Sequence, residues 1–217
     1  MSHDVIVAGE RLTLYAERGV WWARSQTLLV ADPHFGKAAT FRALGVPVPH
    51  GTTGDSLARL DALLQRTDVR RILFLGDFLH ARRGRSASTL GLMARWRETH
   101  NDVTMTIVRG NHDREAGDVE DLGIASVDAP LVEPPFVFAH EPVASDLGYV
   151  VAGHLHPGAV LVGGGRQHAH LPCFWFGSQI AVLPAFGDFT GLWPVEASPG
   201  DRVFVIAGNE IVERVAR

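Results

Sequence analysis

Residues 103–113 read VTMTIVRGNHD, an apolar run that ends at a glycine and is followed at once by Asn111, His112 and Asp113. Apolar runs of this length are typical of strands that are buried on both faces. The same pattern recurs in residues 27–34 (TLLVADPH), 72–77 (ILFLGD), 136–140 (FVFAH) and 149–156 (YVVAGHLH). Five predicted strands therefore end at side chains that can bind a metal ion.

Helices are predicted between the early strands. Residues 56–66 and 88–100 carry apolar side chains at helical spacing, and Asp55 is a plausible N-cap for the first helix. Strands that alternate with helices imply parallel pairing through right-handed crossovers. The first half of the chain therefore predicts a parallel α/β sheet.

The second half has a different pattern. From residue 130 onward, short apolar runs alternate with Gly and Pro turns, which predicts a mostly antiparallel sheet packed on the first. The glycines of residues 163–165 predict one hairpin turn, and residues 5–22 predict a hairpin around Glu17, Arg18 and Gly19.

The bulk composition is that of an ordinary globular protein. With 217 residues, of which 46% are hydrophobic and 20% charged, the chain is expected to form a single domain over residues 1–217. We expect a cytoplasmic protein, since no stretch approaches the roughly 20 apolar residues of a membrane span and the first residues lack a basic segment followed by an apolar core. The single Cys173 excludes an intramolecular disulfide and a thiolate zinc site.

The polar residues after the strands form a candidate metal site. Ligands of open α/β sheets bind at the carboxyl ends of the strands, and residues two apart in an extended segment share a face. Gly76, Gly110 and Gly153 would let the backbone approach the ions closely. The candidate ligands are Asp32, His34, Asp77, Asn111, His140, His154 and His156.

Taken in order, these motifs resemble those of the calcineurin-like metallophosphoesterases. The resemblance implies a four-layer α/β/β/α sandwich and a centre with two metal ions. It implies that one ion is held by Asp32, His34, Asp77 and His156, and that Asp77 bridges to a second ion. The second ion would also be held by Asn111, His140 and His154, with His112 facing the substrate.

The donor chemistry agrees with this allocation. Oxygen and imidazole donors without thiolates suit Mn²⁺ first, with Fe, Zn²⁺ or Co²⁺ as alternatives. Two ions about 3.5–4 Å apart can share a hydroxide that attacks phosphorus in line. His112 would then be the general acid, or a cationic stabiliser of the transition state, and Asp113 a candidate to orient its ring.

Within that superfamily, the chain resembles the bacterial metallophosphoesterases associated with a DNA ligase, the PdeM group of ligase-associated DNA damage response endonucleases. The segments that carry this resemblance are residues 32–37 (DPHFGK), 41–42 (FR), 45–49 (GVPVP), 171–175 (LPCFW) and 183–191 (LPAFGDFTG). It implies a DNA substrate, a role in DNA repair, and functional association with a DNA ligase, a helicase and an exonuclease.

Cationic side chains near the motifs offer independent support for a polyanionic substrate. They could steer DNA and hold its phosphates, although they could equally be solvated surface charges, and the net charge of −4 makes no case for DNA binding by the whole surface. Nothing predicts base reading, so cleavage should be largely independent of sequence. The cations are Lys37, Arg42, Arg82, Arg83, Arg85, Arg109 and Arg114.

The chain departs from the family pattern at two positions. His80 stands where many members have an acidic residue, and Glu141 where they often have Gly. His80 could reach the metals or the substrate, or could simply start a helix. His168 and His170 are expected on a strand surface. We expect core or sheet-packing roles for the aromatic residues Trp21, Trp22, Phe174, Trp175, Phe176, Phe186 and Phe189.

Three other classes of protein share part of this pattern. A nucleotide or cyclic-nucleotide phosphodiesterase or phosphatase would use the same ions and the same acid, although the lack of a large cap insertion mildly favours an extended substrate. A non-catalytic scaffold on the same fold is disfavoured by the complete ligand set. A metal-dependent amidohydrolase is disfavoured because its barrel needs about 250 residues.

Overall fold

The computed structural model describes residues 1–48, 52–162 and 168–215, which form two β-sheets and four α-helices. The helices are α1 (Lys37–Ala43), α2 (Thr52–Leu64), α3 (Ala87–Thr99) and α4 (Asn111–Ala116). The first sheet contains, in spatial order, β1 (Ser2–Val7), β2 (Glu10–Tyr15), β3 (Val20–Trp22), β4 (Thr27–Val30), β5 (Arg71–Phe74), β6 (Thr104–Val108) and β7 (Ala125–Val127). The second sheet contains β8 (Leu131–Glu133), β9 (Phe136–Phe138), β10 (Tyr149–Ala152), β11 (Pro157–Val162), β12 (His168–Phe176), β13 (Ile180–Val182), β14 (Trp193–Pro194), β15 (Arg202–Ala207) and β16 (Glu210–Val215).

Parallel strands at the centre of each sheet set the position of the site. In the first sheet, β4, β5, β6 and β7 run parallel, whereas β1 to β4 pair antiparallel. In the second sheet, β10 lies parallel to both β9 and β13, and the pairs that β12 forms with β11, β13 and β15 are antiparallel. The carboxyl ends of β4, β5 and β6 therefore share one edge, and those of β9 and β10 share another.

A backbone link joins these two edges. Ala31, which follows β4, forms a parallel bridge with Ala185, which follows β13. The N–H of Phe186 donates to the carbonyl of Ala31 at 2.8 Å, and the N–H of Leu183 donates to the carbonyl of Ala152 at 2.8 Å. The ends of the two sheets are thus fixed next to each other by main-chain hydrogen bonds.

Two apolar clusters hold the layers together. One lies between the sheets, where Leu29 and Leu73 of the first sheet pack with Phe136, Phe174 and Phe204 of the second. All five side chains are fully buried. The other joins the opposite face of the first sheet to α2 and α3 through a set of fully or nearly fully buried side chains. These are Leu28, Val30, Leu57, Leu60, Leu63, Ile72, Phe74, Met93 and Ile107.

The predicted α/β class and two-sheet sandwich are confirmed. All four α-helices of the described residues lie between Lys37 and Ala116, on the side of the first sheet. The outer face of the second sheet carries a small cluster around Cys173, against which Val195 and Ala197 of a loop pack. Among the described residues, loop segments therefore take the place of helices on that face.

The predicted elements match the observed ones closely, with one correction at a helix start. Helix α2 begins at Thr52, so Asp55 lies within its first turn and the prediction of Asp55 as N-cap was wrong. Helix α3 has Ser86 as N-cap, whose hydroxyl accepts from the N–H of Thr89. The hairpin between β2 and β3 is confirmed, with Arg18 at φ 68° in its turn.

Two sequence predictions lie outside the described residues. These are the glycine turn of residues 163–165 and the last residue of the 45–49 segment. Within the described parts of the chain, no helix is both long enough and apolar enough to cross a membrane.

Candidate metal centre

The strand-end residues converge at the joined edges of the two sheets. Two overlapping triads, one of Asp32, His34 and His156 and the other of Asp32, Asp77 and His140, each bring their donor atoms within 4.8 Å of one another. Candidate ligands that follow the carboxyl ends of β4, β5, β9 and β10 therefore lie close together where the two sheets join. The convergence predicted from the strand ends is present in the fold.

One group of donors surrounds the Nε2 atom of His140. This nitrogen lies 2.9 Å from Oδ1 of Asn111, 2.9 Å from Nδ1 of His154 and 3.5 Å from Oδ1 of Asp77. Donor atoms at right angles around an ion with bonds of about 2.1 Å are about 3 Å apart. The donors of Asn111, His154 and Asp77 therefore all lie near Nε2 of His140, which makes these residues candidates to share one metal position with it.

A second group lies on the other side of Asp77. Nε2 of His34 is 3.4 Å from Nε2 of His156 and 3.8 Å from Oδ2 of Asp77. Nε2 of His156 is 3.7 Å from Oδ2 of Asp32. The two oxygens of Asp77 thus face different donor groups, which is the geometry of a carboxylate that bridges two ions.

The carboxylate of Asp32 indicates that a cation belongs here. Asp32 is fully buried, and its Oδ1 has no hydrogen-bond partner in the described chain. Burial, followed by the nearby charge of Asp77, raises the pKa of Asp32 well above its usual value. Two buried carboxylates side by side are unfavourable unless a positive charge compensates them, and divalent ions would supply that charge.

The imidazoles of His34 and His156 are in the protonation state that a metal requires. Burial, with the charge of Lys37 as the next cause, lowers the pKa of His34 to about 2 and that of His156 to about 4. Both rings are therefore neutral near pH 7 and have a free lone pair. Nδ1 of His140 lies 3.1 Å from the carbonyl of Leu75, and donating a proton there would leave Nε2 as the metal-binding nitrogen.

The backbone of the site is held in an uncommon conformation. In the part of the chain that the structure describes, nine non-glycine residues have positive φ, and five of them are candidate ligands, each at a φ between 45° and 70°. A non-glycine residue in this region is unfavourable and persists only where the surrounding structure enforces it. These five residues are Asp32, His34, Asp77, His154 and His156.

The three strand-end glycines make room for the ligands. A Cβ atom on Gly76 would lie 2.2 Å from the ring of His140, and one on Gly153 would lie 2.5 Å from Oδ2 of Asp32. A Cβ on Gly110 would lie 2.5 Å from Oδ1 of Asp77. These glycines thus permit close approach of the backbone to the candidate ligands, and the predicted approach to the ions themselves stays a prediction.

We expect Gly153→Ala to weaken metal binding about 10- to 100-fold, because the new methyl group displaces the Asp32 carboxylate from its position. Titration of the metal-free protein with Mn²⁺ by calorimetry would measure the change. Gly54→Ala is the matched control, since a Cβ there has no neighbour within 4 Å. Equal affinities in the two variants would contradict the packing of Gly153 against Asp32.

The chain was compared with known proteins. The family model for calcineurin-like phosphoesterases matches residues 26–209, which include every candidate ligand. The chain belongs to the calcineurin-like phosphoesterases. It is therefore a hydrolase of phosphoester bonds, as the sequence motifs predicted.

One solved structure is similar to this phosphoesterase over nearly its whole length. It is the nuclease MPE of Pseudomonas putida, with 40% identity and a TM-score of 0.85 over 95% of this chain and 97% of the nuclease. A phosphoesterase from E. coli has 15% identity and a TM-score of 0.39 over 87% of this chain and 98% of its own. A TM-score that low does not establish a shared fold. No curated protein matches the chain significantly.

His112 lies at the open side of the phosphoesterase centre. Its Nε2 is 3.8 Å from Oδ2 of Asp77, its backbone N–H donates to Oδ1 of the same residue at 3.1 Å, and 34% of its side chain is exposed. Because the imidazole of the candidate ligand His34 is only 3% exposed, the two rings differ in access to solvent. His112 can therefore meet a substrate that the buried ring of His34 cannot reach.

His80 belongs to the same cluster of rings. Its ring centroid lies 5.2 Å from that of His112 and 5.4 Å from that of His34, and its Nδ1 is buried with no hydrogen-bond partner in the described residues. Burial, then the charges of Lys37 and His112, lower its pKa to about 4. Of the two alternatives for His80, the structure supports a place in the site.

Asp113 has a different role from the one predicted. Its carboxylate is buried and accepts from the N–H of Phe78 at 2.8 Å and from the N–H of Gly110 at 2.9 Å. Both carboxylate oxygens are therefore directed at backbone amides, and the expectation that Asp113 orients the His112 ring is corrected. Its contacts hold the loops after β5 and β6 together, and these loops carry Asp77 and His112.

The predicted substrate cations differ in their surroundings. Burial lowers the pKa of Lys37, and the nearby charges of Asp77 and Asp32 oppose this shift. Arg82 and Arg83 lie in a turn whose Gly84 packs against Gly36 at the start of α1. Arg42 and Arg114 are exposed, on α1 and α4.

Arg109 and Arg85 form ion pairs or hydrogen bonds within the protein. Arg109 donates to both oxygens of Asp118 at 3.0 Å and lies 3.4 Å from Asp128, so its charge is already balanced. Arg85 donates to the carbonyls of Gly117 and Asp118. Both arginines fix the loop after α4.

Most other expectations for the tail are confirmed. His168 and His170 are exposed on β12, and Trp22, Phe174, Phe176 and Phe186 are buried, with Trp21 and Trp175 partly buried. Phe189 was predicted as a packing residue, which is wrong because it is 49% exposed. The sequence did not single out Trp193, although two glycines of the segment GDFTGLW in residues 187–193 mark a loop.

Proposed function

We propose that this phosphoesterase is a two-metal nuclease that hydrolyses phosphodiester bonds of DNA, largely without regard to base sequence. The position of His112 carries the proposal, because an accessible imidazole 3.8 Å from the bridging carboxylate of Asp77 can protonate a leaving oxygen. The similarity to the Pseudomonas putida nuclease over 95% of the chain supports the substrate class.

The residues around Asp77 fit two divalent ions, Mn²⁺ first, with Fe, Zn²⁺ or Co²⁺ as alternatives. Such ions supply a water that is nucleophilic near neutral pH and neutralise phosphoryl oxygens. In this proposal Asp32, His34 and His156 hold one ion. Asp77 bridges to the other, which is also held by the donors around the His140 ring, namely Asn111, His140 and His154.

The remaining side chains would act on the phosphate directly. His112 would donate a proton to the leaving oxygen, and His80, whose ring centroid is 5.2 Å away, would contact the same phosphate group. Lys37 lies beside the centre and would add a positive charge next to a phosphoryl oxygen. Arg42, Arg82, Arg83 and Arg114 would contact flanking phosphates.

A cavity next to the centre has room for the substrate beyond the scissile phosphate. It has a volume of about 410 Å³ and extends from Asn111 and His140 to Arg114, Pro130 and Val143. Pockets of this size hold small ligands of roughly nucleotide size. Arg109 also lines this cavity. Because its charge is balanced by acidic side chains, we propose that it shapes the cavity wall and does not pair with a phosphate of the substrate.

The same cavity keeps a second candidate function open. A nucleotide or cyclic-nucleotide phosphodiesterase or phosphatase would need room for only one nucleoside beside the ions, and the cavity provides it. A non-catalytic scaffold is disfavoured by the complete set of donors.

Parallel assays would separate these functions. We expect the Mn²⁺-loaded protein to hydrolyse bis-p-nitrophenyl phosphate and to cleave single- or double-stranded DNA, and a chelator to abolish both activities. Cyclic and linear mononucleotides should be turned over far more slowly than DNA. Turnover of mononucleotides alone would overturn the nuclease proposal, and inertness toward every phosphoester would favour the scaffold.

Four further expectations rest on the sequence and its family resemblance. These are a role in DNA repair, functional association with a DNA ligase, a helicase and an exonuclease, a cytoplasmic location, and a single domain over residues 1–217. Each stays a prediction.

A further inference from the structure

The segment of residues 186–193 is hydrogen-bonded to two candidate ligands of one proposed ion. The N–H of Gly187 donates to the carbonyl of Asp32 at 3.1 Å, and the N–H of Trp193 donates to the carbonyl of His156 at 3.0 Å. We call residues 186–193 the support segment. Its two ends are thus tied to the main chain at Asp32 and at His156, which follow strands of different sheets.

The support segment also contacts the ring of His156. The backbone of Gly191 forms a hydrogen bond with this side chain. Nε2 of the ring faces Asp32 at 3.7 Å and His34 at 3.4 Å, so the backbone contact is left to Nδ1. A hydrogen bond at the second ring nitrogen fixes the direction and the tautomer of a metal-binding imidazole. Gly191 therefore helps to aim His156 at the proposed ion.

The support segment packs directly on the backbone of the motif that carries Asp32. A Cβ atom on Gly187 would lie 2.4 Å from the carbonyl oxygen of Pro33 and 3.2 Å from that of Asp32. The N–H of Phe186 donates to the carbonyl of Ala31 at 2.8 Å. Because main chain touches main chain here, a displacement of the segment would move Asp32 with it.

Two arginines hold the support segment in place. Arg59 donates to Oδ2 of Asp188 at 2.9 Å, and Nη1 of Arg18 lies 3.5 Å from Oδ1 of the same carboxylate. Arg59 also donates to the carbonyl of Phe186 at 2.6 Å, and its guanidinium lies over the ring of that residue, 5.0 Å from the centroid. Arg18 donates to the carbonyl of Gly187 at 3.1 Å. Each residue of 186–188 is therefore bound by a guanidinium.

Asp188 is the residue on which this network depends. Arg18 comes from the turn between β2 and β3 and Arg59 from α2, so the carboxylate joins two distant elements to the segment. Burial, followed by the charge of Arg59, lowers the pKa of Arg18, and Asp188 opposes this shift. Two guanidinium groups close together repel each other unless an anion lies between them. Loss of the Asp188 charge would therefore release both arginines from the segment.

The contacts of the support segment differ between the two donor groups. Within the described ranges of the chain, none of its hydrogen bonds reaches Asn111, His140 or His154. Those candidate ligands belong to the other proposed ion. A change in the segment should therefore act on the ion held by Asp32 and His156 more strongly than on its neighbour.

We propose that Asp188, held between Arg18 and Arg59, is a positioning residue that fixes Asp32 and His156 and so sets the affinity for the ion they share. This inference rests on the proposed two-metal centre. It adds the residues that control one of the two metal positions without contacting the ion.

The test is a titration of the metal-free Asp188→Asn variant with Mn²⁺ by calorimetry. We expect one of the two ions to bind about 10- to 100-fold more weakly than in the parent, the range for loss of a group that orients metal ligands, while the other keeps its affinity. Hydrolysis of bis-p-nitrophenyl phosphate should need correspondingly more Mn²⁺ for half its maximal rate. Its kcat at saturating Mn²⁺ should stay near that of the parent, because the ligands themselves are intact.

A second pair of variants tests whether the network acts as a unit. Arg59→Ala should weaken the same ion, and Arg59→Lys should weaken it less because the charge beside Asp188 is kept. Adding Asp188→Asn to Arg59→Ala should cause little further loss, since residues in one ion-pair network are not additive. Fully additive losses would overturn the proposal that Asp188 acts through this pair.

A matched ion pair far from the centre separates positioning from general stability. Arg71, the first residue of β5, donates to both oxygens of Glu133 at 2.7 and 2.6 Å, and the two side chains are 25% and 28% exposed, close to the 26% and 30% of Arg59 and Asp188. Glu133→Gln should lower the free energy of unfolding, measured in urea, but leave both Mn²⁺ affinities unchanged.

The outcomes distinguish this inference from the proposed function. If the parent binds fewer than two ions, the two-metal centre fails and the inference falls with it. If the parent binds two ions and Asp188→Asn binds both as tightly, only the positioning role is overturned. Equal weakening of both ions, or the same weakening in Glu133→Gln, would also overturn it, because the effect would then not be specific to one metal position.

Discussion

Replacing Asp77 with Ala is expected to empty both metal positions and to reduce phosphodiester hydrolysis by on the order of 10³-fold or more. The reason is geometric. Oδ1 of Asp77 lies 3.5 Å from the His140 donor and Oδ2 lies 3.8 Å from the His34 donor, so a single side chain belongs to both groups. Elemental analysis of the purified variant, together with turnover of bis-p-nitrophenyl phosphate, would measure both effects.

A matched control is available at the opposite edge of the first sheet. Asp102 precedes β6 and is exposed, so Asp102→Asn should keep both ions and full activity. The variant Asp77→Asn tests charge separately from shape. Its amide could still coordinate one ion through its oxygen, but it could not bridge two ions as a carboxylate can. Retention of two ions per chain by Asp77→Ala would contradict the bridging role.

Replacing His112 with Ala is expected to lower kcat for DNA by about 10² to 10⁴ while the metal content stays unchanged. His112 contacts Asp77 through its backbone N–H, a contact that alanine retains, and its ring is far more accessible than that of His34. The loss should be smaller for bis-p-nitrophenyl phosphate, because nitrophenolate leaves readily without a proton. Steady-state kinetics on the two substrates would show this difference.

His168→Ala is the control for this experiment, since His168 is exposed on β12 and belongs to neither donor group. We expect it to have parental kcat on both substrates. Near-normal cleavage of DNA by His112→Ala would remove His112 from the mechanism. Loss of metal from the same variant would show instead that its role is to support the ligands.

The sequence predicted the ends of the central strands because the apolar runs stop where burial stops. The run at residues 149–152 coincides with β10, and that at residues 103–108 differs from β6 by one residue. Asp32 and His154 could be chosen as candidate ligands because five buried runs end at such side chains in one chain, whereas each motif alone is also typical of a strand-end turn. Helix starts were less predictable, as Asp55 shows, because several polar residues in a row can each act as a cap.

Side-chain partners could not be deduced from the order of residues. Asp113 follows His112 in sequence, yet its oxygens reach the amides of Phe78 and Gly110, because the start of α4 turns the two side chains in different directions. The sequence predicts Arg109 as a cation available to the substrate, whereas in the structure Asp118 and Asp128 lie beside it. Such pairings depend on how loops of different strands meet.

By itself, the sequence determined that this chain is a two-sheet α/β protein with oxygen and imidazole donors at its strand ends, because the period and length of apolar runs are local properties. Only the tertiary structure decided that Asp77 has one oxygen toward each donor group, that His80 joins the ring cluster and that Phe189 is exposed. These facts depend on distances between segments far apart in the chain, and such distances are set by the packing of the two sheets.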